Sequence, residues 1–153
     1  MAASTHATAT AVAQAVLERG GNAFDAACAG GFVLHLVEPH LNGPGGDLVG
    51  LFQPTDAETP TVLMGQGAAP AGATIAHFQR EGLDLVPGAG GLAAAVPAAV
   101  DAWLLLLRDH GTWSVADVLS YAIEYAEHGH PLLPAAAATI GRVAELFRDH
   151  WPS

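Results

Sequence analysis

Apolar positions along this chain recur first at helical spacing and then at strand spacing. Val12, Ala13, Val16 and Leu17 share one face of a helix over residues 9–19, which Gly20 and Gly21 close as a carboxyl-terminal cap. Asn22 has the side chain of a helix N-cap, and Asp25 stands three residues on, where the positive helix end favours a carboxylate. The helix opened there runs through Ala26, Ala27, Phe32, Leu34 and Leu36 and must stop before Pro39. It is apolar nearly all round, which predicts a central position rather than a surface one.

A glycine-dense loop follows, His40-Leu41-Asn42-Gly43-Pro44-Gly45-Gly46-Asp47, and is expected to turn tightly through positive φ angles. Residues 48–53 and 61–64 are short β-like runs joined across residues 54–60 as a hairpin. Thr74 caps a short helix over residues 75–81. Residues 93–96 predict a third, buried strand, and Pro97 opens a helix to His110 that Gly111 ends. Ser114, with Asp117 three residues later, opens a helix to His128, closed by Gly129 and Pro131. Residues 134–149 form the last helix. Strands that do not alternate regularly with helices argue for an α+β class. Two or three strands make a poor sheet on their own, so the pattern reads as part of something larger.

Composition narrows the function classes. The 153 residues suit one ordinary domain, and 51 % apolar against 13 % charged residues excludes a disordered chain. There is no Lys, and the five Arg face 15 carboxylates, a net charge of −10. Nucleic acid is therefore not an expected partner, since phosphate neutralisation supplies most of that affinity. The longest apolar stretch, residues 91–107, is broken by Pro97 and Asp101, so no membrane partner is expected either. No cation precedes Arg19, so no secretory signal is visible and a cytoplasmic location is the expectation.

Local constellations carry little chemistry. The glycine loop follows a helix and enters a strand, the reverse of a phosphate cradle, and lacks Gly-Lys-Ser/Thr. His35 with His40, and His128 with His130, lack the third ligand that a metal site needs, so no metal site is expected. Cys28 lies mid-helix among alanines with no cation to lower its pKa, and reads as a small hydrophobe. Ser4-Thr5-His6 reads as the entry of the first helix rather than as part of a triad. No complete catalytic set is present.

Several segments taken in order nevertheless resemble the gamma-glutamyltranspeptidase family. Gly20-Gly21-Asn22-Ala23-Phe24-Asp25-Ala26-Ala27 resembles its "GGNAxDAA" signature, and Val37-Glu38-Pro39 with Gly43-Pro44-Gly45-Gly46-Asp47 is similar to "VEPxxxGxGGG". Ala68-Ala69-Pro70-Ala71-Gly72-Ala73-Thr74 resembles "ETAPAxAT", and similar matches run on through Val96-Pro97, Gly111-Thr112 and Ala122-Ile123 to about Leu133. The resemblance implies a partial N-terminal nucleophile hydrolase αββα sandwich, with residues 1–153 as the N-terminal portion of the large subunit. It also implies a self-cleaving precursor whose small subunit begins with a nucleophilic Thr that uses its own amine as base. No catalytic residue is then expected in this chain, and no organic cofactor is implied; its implied partners are the small catalytic subunit, or missing C-terminal part, and a small-molecule amide.

One family position falls inside the chain. The motif "DGRETAP" carries an Arg that holds the substrate's α-carboxylate, and Gln66 stands at that place in Met64-Gly65-Gln66-Gly67-Ala68-Ala69-Pro70. Arg presents a charged fork that matches a carboxylate; Gln presents one neutral amide. The expected function is hydrolysis or transfer of γ-glutamyl amides such as glutathione or of related amides. The alternatives are an amidohydrolase with a non-glutamyl substrate, oxamate- or acylase-like, or a non-catalytic fragment or interaction module.

Overall fold

The computed structural model describes residues 1–150. It contains seven α-helices and two strands in the order α1 (Ala7–Glu18), α2 (Ala23–Val37), β1 (Leu48–Phe52), β2 (Thr61–Gly65), α3 (Ile75–Arg80), α4 (Ala99–His110), α5 (Val115–His128), α6 (Pro134–Arg142) and α7 (Ala144–His150). Two compact units emerge: residues 1–43 with 103–150 of the described chain, and residues 44–102. The class is α+β, as expected.

The first unit is helical, and α2 lies at its centre, packed against α1 and α5. Ala26, Cys28, Ala29, Val33 and Val37 of α2 are buried, together with Val12 and Val16 of α1 and Val118 of α5. Small residues let the helices approach closely. A Cβ on Gly31 would lie 2.5 Å from the Trp103 ring, so this position has no room for even a methyl group.

The start of α2 ties together segments remote in sequence. Asn22 Oδ1 accepts from the amides of Phe24 and Asp25, and Asp25 Oδ2 accepts from the Asn22 amide at 2.8 Å, a reciprocal capping box. Asp25 also accepts from the Thr112 hydroxyl at 2.7 Å and from the amides of Thr112 and Trp113 at 2.8 and 3.0 Å. Asn22 Nδ2 donates to the His110 carbonyl at 2.7 Å. The α4–α5 connection is thereby clamped to the amino end of α2. Beside it, Arg19 lies 5.2 Å from the centre of the Trp113 ring and donates to the Tyr121 hydroxyl at 2.9 Å.

The second unit is built on the β1–β2 hairpin, antiparallel with Leu48 opposite Gly65 and Phe52 opposite Thr61. On one face, Leu63 is buried, along with Ala99 and Ala102 from the first turn of α4. A Cβ on Gly65 would sit 2.5 Å from that of Ala102, so glycine is what lets the helix turn lie against the strand. The other face carries Val49, Leu51, Val62 and Met64, exposed by 57 to 71 %. This sheet is covered on one side only.

Three expectations are corrected. Residues 93–96 are not a buried strand: Gly91–Ala93 form one 3₁₀ turn, Val96 donates a single ladder-like bond to Ala68 at 2.9 Å, and residues 93–96 are exposed. Alanines bury too little there to hold a strand, and Pro97 has no N–H with which to extend the ladder. The last helix divides at Val143, whose amide turns back to Gly141 and Ile140. Gly141, just before the break, is a poor helix residue, and β-branched Val143 adds little to continue it. The glycine loop contains no positive φ: among the described residues such angles occur at Gly20, Gly82, Gly90 and Gly129. Its fixed point is instead the Gly46 carbonyl, which accepts from the amides of Ala98 and Ala99 at the start of α4.

Candidate functional site

Gln66 lies immediately after β2, exposed at the mouth of a cleft within the second unit. The cleft has a volume of about 540 Å³ and is walled by Gly45 and Gly46 on one side and residues 93–96 on the other. Its side-chain chemistry comes from Asp47 and Gln66. Gln66 Nε2 donates to Asp47 Oδ2 at 3.4 Å, a long hydrogen bond. The pairing follows from the hairpin register, since Asp47 and Gln66 are one step beyond the last ladder pair, Leu48 and Gly65. The family motif marks Gln66 in the sequence; Asp47 stands there at the end of a glycine run, and the signal that marks it is the hairpin register extended by one pair.

Gly67 shapes the same wall. A Cβ there would fall 1.6 Å from the Val96 carbonyl oxygen and 2.7 Å from its carbon, both backbone atoms. The "DGRETAP" pattern has Glu at this position, so the strand end and residues 93–96 lie closer together here than that side chain would permit.

The other candidates are placed elsewhere. Cys28 is fully buried and donates to the Trp103 carbonyl, with burial first and the Asp25 charge second pushing its thiol up to about 12. Such a thiol is no nucleophile. Burial lowers the His35 pKa, opposed by its Nδ1 bond to Asn42 Oδ1 at 2.8 Å, and Asn42 in turn donates to the carbonyls of Leu34 and Glu38 at the end of α2. His35 thus serves a helix end. His128 Nδ1 contacts the Glu124 carbonyl at 3.1 Å, and His130 Nδ1 the Pro131 carbonyl. Among the described residues, no group of three or more His, Cys, Asp or Glu is placed to hold a metal ion. His6 caps α1, its Nδ1 accepting from the Thr8 amide at 3.1 Å, and the Thr5 hydroxyl donates to Glu38. Ser4-Thr5-His6 is thus the helix entry that its composition suggests. No helix among the described residues is long and apolar enough to cross a membrane.

The residues that fix this fold follow the family pattern, and comparison with known proteins agrees. The Gamma-glutamyltranspeptidase family description matches residues 9–153, and the chain belongs to that family. It is 37 % identical over 133 residues to the glutathione hydrolase-like YwrD proenzyme of Bacillus subtilis, covering 86 % of this chain and 25 % of that protein. Against the oxamate amidohydrolase proenzyme of Klebsiella pneumoniae, identity is 35 % with 99 % of this chain and 30 % of the relative covered. Among solved structures, that of LmbA2991 is 61 % identical with a TM-score of 0.93 over 96 % of this chain and 25 % of the other. The gamma-glutamyltranspeptidase of Helicobacter pylori is 33 % identical with a TM-score of 0.89, covering 98 % and 44 %. The chain spans about a quarter of the length of the first curated relatives it matches.

Proposed function

We propose that this chain is the N-terminal portion of the large subunit of a self-processing N-terminal nucleophile hydrolase or acyltransferase that acts on γ-glutamyl amides such as glutathione or on related amides. The observation that carries this reading is the family match over residues 9–153. The nucleophilic Thr, and the amine that takes its proton, belong to a small subunit outside this chain. The chain contributes the hairpin, its exposed cleft and the helical unit. The half-covered sheet supports a partner of that kind, because Val49, Leu51, Val62 and Met64 form an apolar face that the second sheet of an αββα sandwich would cover.

Gln66 favours a second reading within the same family, an amidohydrolase with a non-glutamyl substrate, of the oxamate or acylase kind. A neutral amide cannot supply the charge-assisted fork that holds an α-carboxylate. The test is release of the aniline from a γ-glutamyl anilide by the full-length protein, compared with its Gln66→Arg variant. The γ-glutamyl reading expects turnover by both. If Gln66 sets specificity, Gln66→Arg raises kcat/KM by about ten-fold, less than a buried fork would give because Asp47 shares the new cation. Equal efficiency refutes the specificity role of Gln66, and no turnover by either form refutes the γ-glutamyl reading.

A further inference from the structure

We infer that Asp47, steadied by Gln66, selects an amide substrate whose acyl end carries an ammonium group, the opposite of a carboxylate-binding end. This rests on the amide-cleaving function proposed above and adds a substrate class to it.

Among the described residues, Asp47 is the one titratable residue lining the cleft, and no cation lines it. Its described side-chain partner is the neutral amide of Gln66 at 3.4 Å, too long to satisfy a carboxylate's several acceptor positions. Residues 44–102 hold six carboxylates and a single cation, Arg80, which lies on α3 and not in the cleft wall. The field over the unit is therefore negative, and it draws cations towards the cleft while repelling a free carboxylate.

Geometry adds direction. The hairpin register fixes both side chains at one strand end. The close approach of Gly67 to Val96 sets the opposite wall and leaves an opening of about 540 Å³, room for a small acyl group. An ammonium has three donors, enough for Asp47 Oδ1 and Oδ2 and the Gln66 Oε1 that its own Nε2 bond leaves free.

Four anilides separate the possibilities on the full-length protein: 4-aminobutyryl, glutaryl, butyryl and γ-glutamyl. They share a butanoyl core and differ in carrying, on its fourth carbon, an ammonium, a carboxylate, neither or both. The expected result is a kcat/KM for the 4-aminobutyryl anilide about five-fold above that for the butyryl one, with the glutaryl anilide below both. Asp47→Asn should bring the aminobutyryl-to-butyryl ratio to about one, whereas Asp56→Asn, which removes a carboxylate outside the cleft, should not. The preference should also shrink with added salt. A glutaryl anilide cleaved faster than the aminobutyryl one, or a ratio unmoved by Asp47→Asn, overturns the inference and leaves amide cleavage standing. Cleavage of none of the four overturns both.

Discussion

Asp25 accepts four hydrogen bonds in the helical unit, and its replacement by Asn gives a sharp test of how that unit is held. The carboxylate is fully buried, and each oxygen accepts two bonds: Oδ2 from the Asn22 amide and the Thr112 hydroxyl, Oδ1 from the amides of Thr112 and Trp113. A carboxamide at this position would accept at one oxygen only; its NH₂ would face two donor amides or, turned over, the Asn22 amide and a Thr112 hydroxyl able to rotate and accept, so one or two of the four bonds would be lost and the others would lose their charge assistance. Hydrogen bonds to a charged acceptor contribute about 1.5–3 kcal/mol each, so Asp25→Asn should lose on the order of 3–5 kcal/mol. That is a large part of a typical domain's stability. Burial raises the carboxyl's pKa, but the bonds from Thr112, Trp113 and Asn22 together outweigh it and hold it below its ordinary value. A depressed folded-state pKa gives stability that is present above the unfolded-state value and lost as pH falls through the folded-state one. Urea denaturation of wild type and Asp25→Asn from neutral to acid pH should show the gap between them closing below the ordinary carboxyl range. A loss under about 1 kcal/mol at neutral pH, or a gap that widens in acid, would refute the assignment.

Two further outcomes are expected. Cys28 in the native protein should react with a thiol reagent at pH 8 on the order of a thousand-fold more slowly than a free cysteine, and reach full reactivity only in denaturant; rapid native labelling would contradict its burial. The chain by itself should bind a hydrophobic dye through the open sheet face, and Leu51→Gln with Met64→Gln should remove most of that fluorescence at unchanged helix content. Unaltered fluorescence would place the dye elsewhere.

Local signals were legible in the sequence, and remote ones were not. The Asn22–Asp25 cap, the Thr74 and Ser114 caps and the hairpin all depend on residues a few positions apart. The clamp of Asp25 on Thr112 spans 87 residues, so sequence shows Asp25 only as a favourable charge at a helix end. Residues 93–96 misled because an alanine run ending in valine has no period to separate strand from loop. Gln66 was visible through the motif it departs from. Asp47 was not, because its meaning comes from a cross-strand neighbour rather than from the glycines before it.

The helical unit is discontinuous along the chain: it leaves at residue 43 and resumes at residue 103, with the whole hairpin unit between. Its folding must therefore close a long loop before Asp25 can meet Thr112. For a flexible segment of that length the closure entropy is about 4 kcal/mol, and doubling the length would add only about 0.6. The contact is non-local, so assembly of the helices should be slow relative to formation of α1 with α2, which are neighbours in sequence. A hairpin that forms early shortens the effective loop and speeds that step. The same arithmetic makes the inserted segment the place where the chain tolerates changes of length, and the cleft lies within that segment. The length of the hairpin unit, cleft included, can thus vary with little penalty to the helical frame.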